Sequence, residues 1–253
     1  MALGHVSRDV RRVCLALDTG TLEFRPGQHI LLSVGGLTPR PYAIASLPND
    51  PLLELHVQHW PTGMGAYAAS RLRVGDRAIV WGPTGTPFPL DGDGPVVAVA
   101  DGAGLSAVGG AVLAALGADA ERRVMLYVGA RTASDLYDER LLRWLTERCP
   151  HFALSVCVRE GGVPAASYRR ISIPAALAAD RHDLRDAVVI AAGAAPILTA
   201  VVSAATALGA RPGRIATVPF LPNQRPAGRL ARWFGEAGRV RAAPGLTRAW
   251  SSS

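Results

Sequence analysis

Arg40-Pro41-Tyr42-Ala43-Ile44-Ala45-Ser46 sets an arginine and a tyrosine two residues apart inside a short β-prone run. In an extended strand such residues share a face, so Arg40 and Tyr42 point the same way. A planar cation beside a flat ring suits a ligand that carries both phosphate and an aromatic system. A surface arginine next to a half-buried tyrosine fits the heptapeptide equally well, so its neighbours in the chain must decide.

Working outward, His5 to about Leu90 is short, β-prone and broken by turns. Strands are expected at Val10 to Leu17, Leu22 to Phe24, Gln28 to Val34, Tyr42 to Ser46, Leu52 to His59 and Arg77 to Trp81. Such spacing predicts a small antiparallel barrel or sandwich. One helix interrupts it, from Gly65 to Leu72, and its glycine-rich lead leaves backbone N–H groups for a pyrophosphate. Leu90-Asp91-Gly92-Asp93-Gly94-Pro95 reads as a linker. Beyond it, Val96 to Ala100 is a continuous apolar run, as a parallel strand buried on both faces requires. Strands at Val124 to Val128, Phe152 to Val158, Ala187 to Ala191 and Arg214 to Val218 alternate with helices. The helices are expected at Ser106 to Leu116, Leu136 to Arg148 (capped by Ser134), Ile173 to Ala179 and Pro196 to Leu208. That alternation predicts a doubly wound α/β sheet. The expected division is 1–92, 95–220 and a basic extension, 221–253.

Composition narrows the chemistry. The 253 residues are 49% hydrophobic and 19% charged, enough to bury a proper core. The net charge is +7, yet there is no lysine, which excludes a Walker phosphate loop and Schiff-base chemistry. Cys14, Cys149 and Cys157 form no close pair, so neither an iron–sulfur nor a zinc site is built from them. They read as three buried thiols in a reducing compartment. No apolar run has spanning length, and the reading is a cytoplasmic protein without membrane or nucleic-acid partners. His56 and His59 read as strand histidines. From Pro219 onward six arginines face one acid, Glu236, and Arg225 to Gly235 suits a helix that groups Leu230, Trp233 and Phe234. A solvated end and a docking surface for an acidic partner both fit that segment.

Eight motifs follow in order: Phe24-x-Pro26-Gly27-Gln28, Arg40-Pro-Tyr42-Ala-Ile-Ala-Ser46, Gly63-Met-Gly-Ala-Tyr67, Val74-Gly75-Asp76, Gly82-Pro83-x-Gly85, Asp101-Gly-Ala-Gly104, Tyr127-Val-Gly129-Ala-Arg131 and Ala192-Gly193-Ala-Ala-Pro196. In this order they resemble the ferredoxin–NADP reductase superfamily over roughly residues 5 to 220, most of all its flavin reductases and oxygenase reductase components.

The resemblance implies an antiparallel β-barrel that binds FAD, followed by a doubly wound parallel-sheet domain that binds NADH or NADPH. It gives Arg40 the flavin's phosphate and Tyr42 its ring and ribityl, within the run Pro41, Ala43 and Ser46. Val57 and Gln58 would supply backbone contacts, and Gly63, Met64, Gly65 and Ala66 would offer amides to the pyrophosphate. Gly102, Ala103 and Gly104 would admit the nicotinamide coenzyme's pyrophosphate, Gly129 and Arg131 would lie near its adenosine, and Gly193 and Ala194 near its nicotinamide. The implied activity passes hydride from NAD(P)H to FAD, then electrons to an oxygenase component, a small carrier or free flavin. No residue is assigned as acid or base, because the flavin carries the chemistry.

Four positions depart from the family. Ala43 stands where Ser or Thr is usual near flavin N5, and Gly65-Ala66 replace a Ser or Thr at the helix start. Ala192 stands in for a cysteine, and Asp101 replaces the first glycine of the Gly-Gly-x-Gly turn, with a carboxylate expected to oppose an anionic coenzyme. A catalytically silent scaffold that binds a partner or nucleotide is therefore the rival reading.

Overall fold

The computed structural model describes residues 2–5, 10–18, 22–59, 62–136, 138–162, 164, 166, 168–220 and 240–241. The expected helix at Arg225 to Gly235 lies outside them. Strands β1 (Ala2–His5), β2 (Val10–Leu15), β3 (His29–Val34), β4 (Arg40–Ala43), β5 (Leu53–Gln58) and β6 (Ala78–Thr84) are antiparallel. Helix α1 (Gly63–Ser70) falls between β5 and β6. One sheet has the order β1-β2-β5; the other pairs β6 with β3 and β3 with β4.

Alternation explains why the two sheets share one core. Val13 and Leu15 of β2, and Leu53, Leu55 and Val57 of β5, face the same interior as Ile30, Leu32 and Val34 of β3. Met64, Ala68 and Leu72 bring α1 onto it. The chain passes between the sheets directly after β4. The Ile44 N–H donates to the Gln28 carbonyl at 3.4 Å, and the Ala45 N–H to the Glu54 carbonyl at 2.9 Å. The strand expected at Tyr42 to Ser46 therefore starts and ends earlier, because its last residues form the crossing. Leu22 to Phe24 is not a strand either; Leu22 and Phe24 pack on the core from an irregular segment that runs into Pro26.

The second half is a six-stranded parallel sheet of β7 (Val96–Asp101), β8 (Val124–Ala130), β9 (Phe152–Val158), β10 (Tyr168–Arg169), β11 (Val188–Gly193) and β12 (Ile215–Pro219). Its order is β10-β9-β8-β7-β11-β12, so the direction of winding reverses between β7 and β11. The helices are α2 (Leu105–Ala118), α3 (Glu139–Arg148), α4 (Ile173–Asp180) and α5 (Ala195–Ala207). A two-residue strand, β13 (Val240–Arg241), pairs with β6. By internal contacts, one compact unit contains Met1–Phe24 and Gln28–Gly85, and another contains Arg25–Gly27 and Thr86–Asn223. No described helix is long and apolar enough to cross a membrane.

Two polar side chains sunk in the second unit, Tyr127 and Arg122, make specific hydrogen bonds. The buried Tyr127 hydroxyl donates to Asp180 at 2.7 Å, and the Arg169 guanidinium reaches both Asp180 oxygens at 2.8 Å. Burial pushes the Tyr127 hydroxyl's pKa up, and the bond to Asp180 adds to it. Arg122, only 4% exposed, donates at 2.8 Å to each of the Leu90 and Gly94 carbonyls, fixing the glycine- and aspartate-rich segment between them.

Three expectations change. Helix α3 starts at Glu139 rather than Leu136, and Thr132 rather than Ser134 is the cap, closing a 3-10 turn at Ala133–Asp135 through a reciprocal Thr132–Asp135 bond. Leu136 is extended and Asp138 left-handed (φ +56°), so the chain must turn before the helix can begin. Only Cys157 is fully buried; Cys14 and Cys149 are half-buried, and burial with the nearby Glu54 pushes the Cys14 thiol up to about 11.

Candidate functional site

On β4, Arg40 and Tyr42 are half-buried while Pro41 between them is exposed, the alternation a strand requires. Register fixes both, opposite Leu32 and Ile30 of β3. Tyr42 leans on the core. Burial raises its hydroxyl pKa and the positive charge of Arg40 pulls it back, so guanidinium and phenol sit within one another's field. Ala43 and Ile44 are buried. The Ser46 oxygen accepts the Glu54 N–H at 3.1 Å, which gives this serine a role in joining the sheets.

Glu54 turns its main-chain groups toward Ala45 and Ser46. Strand alternation sends those of Gln58 to the same outer edge of β5 and those of Val57 toward β2. Val57 gives its side chain to the core, and Gln58 is the one of the pair with main chain at that edge. His56 is buried against Glu54 at 2.8 Å, and Arg12 reaches the same carboxylate at 3.1 Å; His59 is exposed.

The start of α1 is two residues earlier than expected, and this improves it as an anion site. Thr62 precedes the helix in an extended conformation and makes no side-chain cap, and no acid occupies the first turn. The first-turn amides of α1 are therefore left without a side-chain cap or a nearby first-turn carboxylate, and of the lead residues Gly63 is exposed while Gly65 is buried. Gly63 adopts φ +71° with open space where a side chain would be. Met64 anchors the turn in the core and Ala66 is half-buried. Uncapped donors, a glycine lead and the Arg40–Tyr42 face all belong to one unit, and this donor set fits a phosphate-bearing aromatic group.

The second unit presents its candidate residues where the sheet winding reverses. Asp101 ends β7, Gly129 and Ala130 end β8, and Gly193 ends β11. Gly102, with φ +54° and nothing near its missing Cβ, opens the turn into α2. Gly104 serves differently: a Cβ there would collide with the Ala192 carbonyl, so this glycine lets α2 seat against β11. The Ala103 carbonyl accepts the Ser106 hydroxyl at 2.8 Å. Gly193 gives its carbonyl to the Phe220 N–H at 2.8 Å, and Ala194 after it is exposed. Arg131 is exposed and lies 3.3 Å from Asp135 and 3.5 Å from Glu160.

Residue patterns alone did not single out Arg159, which follows β9 and lies 3.3 Å from Asp101. Its signal was available, since it follows an apolar strand at the same level as Arg131 follows β8. The Thr132-x-x-Asp135 capping box was also legible.

A family profile described as an oxidoreductase FAD-binding domain matches residues 2–88. The ferredoxin–NAD(P)+ reductase component of the naphthalene 1,2-dioxygenase/salicylate 5-hydroxylase systems of a Ralstonia species is 32% identical over 225 residues, covering 88% of this chain and 68% of that protein. The chain belongs to this reductase-component family. Among its relatives, the aromatic O-demethylase reductase subunit of an Amycolatopsis species is 36% identical over 160 residues, covering 60% of this chain and 48% of its own. The naphthalene 1,2-dioxygenase reductase component of Pseudomonas putida is 31% identical, and the match spans 50% of it. The chain thus spans between about half and two thirds of these curated reductase components. The crystal structure of the Amycolatopsis cytochrome P450 reductase GcoB superposes with a TM-score of 0.79 at 32% identity, covering 88% of this chain and 68% of that one. The FAD/NAD-binding domain of nitric oxide dioxygenase from Vibrio cholerae shares the fold at 19% identity and a TM-score of 0.75, covering 87% and 96%.

Proposed function

We propose that this chain is an NAD(P)H-dependent flavoprotein reductase that hands electrons to an oxygenase component, a small electron carrier or free flavin. The observation that carries the reading is the Arg40–Tyr42 face of β4 in the same unit as the uncapped, glycine-led α1. When bound, FAD supplies the redox chemistry: it accepts hydride and gives up electrons. The chain's own residues bind and orient. Arg40 offsets phosphate charge with a bidentate-capable guanidinium, and Tyr42 packs its ring along the flavin. Gly63 to Ala66 and Gln58 supply main-chain donors and acceptors, while Val57 and Ser46 hold the strands that carry them.

For the coenzyme, Gly102 and Ala103 admit the pyrophosphate and Gly104 seats the helix behind them. Gly129 and Arg131 take the adenosine end, and Gly193 and Ala194 leave room for the nicotinamide. In functional terms residues 1–92 serve the flavin, 95–220 the coenzyme, and the basic 221–253 an acidic electron-transfer partner. Use of NAD(P)H agrees with a cytoplasmic setting.

Adding FAD to purified protein and recording its spectrum, then adding NADH or NADPH without oxygen, tests the reading. Bound flavin that bleaches is expected. Flavin that binds and is reduced by neither nucleotide would establish the silent scaffold instead.

A further inference from the structure

Asp101 introduces a negative charge where an anionic coenzyme is expected, and charge alone would make it an obstacle. The carboxylate has another partner: its Oδ1 lies 3.3 Å from Nη1 of Arg159, two strands away at the end of β9. Two glycines make this reach possible. On the β8 side, a Cβ at Gly129 would come within 2.9 Å of that oxygen. On the β11 side, a Cβ at Gly193 would come within 2.6 Å of the Asp101 Cβ. A side chain at either position would displace the aspartate.

The two members of the pair differ in what they show to solvent. The Asp101 side chain is 14% exposed and the Arg159 side chain 53%. The Arg159 N–H donates to the Ala130 and Arg131 carbonyls at 3.2 and 3.1 Å, which anchors its main chain to the end of β8. A guanidinium carries five N–H donors, and Asp101 engages it through Nη1. An enclosed anion therefore holds an exposed cation beside the residue that opens the Gly102 turn.

We propose that Arg159 binds the pyrophosphate of the nicotinamide coenzyme and that Asp101 is its positioning residue. This rests on the NAD(P)H reading above. Pyrophosphate is favoured over an adenosine 2′-phosphate because Asp101 immediately precedes the turn into α2. Arg131, at the same level as Arg159 and just after β8, already faces two carboxylates.

Calorimetric titration of the FAD-saturated protein with NAD+ and with NADP+ tests the assignment. Arg159→Ala should weaken both nucleotides alike, by about tenfold, with Arg159→Lys recovering part of the loss. Arg159→Gln replaces the alanine variant if that one does not fold. Asp101→Gly should also weaken binding, the opposite sign from simple repulsion. Asp101→Asn, whose amide oxygen still accepts from Arg159, should fall between. The Asp101→Gly/Arg159→Ala double variant should bind no worse than Arg159→Ala, and in turnover KM should rise with kcat unchanged. Tighter binding by Asp101→Gly, no effect of Arg159→Ala, or an effect confined to NADP+ would overturn the assignment. A wild type that binds neither nucleotide would overturn the NAD(P)H reading and this inference with it.

Discussion

Helices α1 and α2 both begin at glycine-containing turns, and neither start has a side-chain cap or an acid in its first turn. Their surroundings are opposite. Gly63 at the head of α1 looks into open space, whereas Gly104 at the head of α2 touches the β11 main chain. At the second start the nearby cation is held in place, since Arg159 is tied to the enclosed carboxylate of Asp101. One glycine-led turn is thus open backbone that ligand groups can approach. The other is partly a packing joint, with its cation positioned by the protein.

The sharpest way to break this contrast is to add one methyl group at each helix. Gly104→Ala drives a Cβ into the Ala192 carbonyl and should cost about 3 kcal/mol of stability. Gly63→Ala meets nothing and should cost about 1 kcal/mol, from its left-handed backbone alone. Denaturation midpoints measure both, and equal losses would erase the distinction. Next in size, Arg40→Ala should weaken FAD binding ten- to a hundredfold, corresponding to about 1.5–3 kcal/mol, while flavin-free stability holds. An unchanged flavin affinity would remove β4 from the site.

The Tyr127–Asp180–Arg169 network tests whether the second unit's frame can be separated from its ligand edge. Burial opposes the Asp180 charge, but hydrogen bonds from Tyr127 and Arg169 prevail and hold its carboxyl below the usual range. An acid depressed in this way contributes stability above its unfolded value, about 4. That contribution is lost as pH falls through the native value. Asp180→Asn should therefore cost about 1–2 kcal/mol near neutrality, and the deficit relative to wild type should shrink as pH drops below about 4. Nucleotide affinity should not change. A deficit that stays constant with pH would assign the cost to packing. The smallest effect concerns Ala43: Ala43→Ser restores a hydroxyl where the family usually has one and should speed flavin reduction by at most about tenfold. A slower variant would mean that this buried position cannot accept the hydroxyl.

Much of this was legible because it is periodic or local. The run Val96 to Ala100 could only be a strand covered on both faces, and all five residues are buried. Phe152 to Val158 has the boundaries its apolar run implies. Ile44 to Ser46 misled because it is as β-prone as the strand before it, and only the partner Glu54 shows that the chain is changing sheets. Tyr168–Arg169 is too short to carry a period.

The sequence by itself determined the two kinds of sheet, the shared face of Arg40 and Tyr42, and the glycine-led helix starts. Each depends on residues near one another in the chain, where strand and helix periods act. Tertiary structure alone decided that Gly104 is a joint, that Val57 belongs to the core and that Asp101 has a counter-ion. Those facts depend on Ala192, on the other core strands and on Arg159, which lies 58 positions beyond Asp101. A charge read along the chain has a sign but no partner. Parallel pairing of β7, β8 and β9 brings the cation to Asp101 and changes what its charge does.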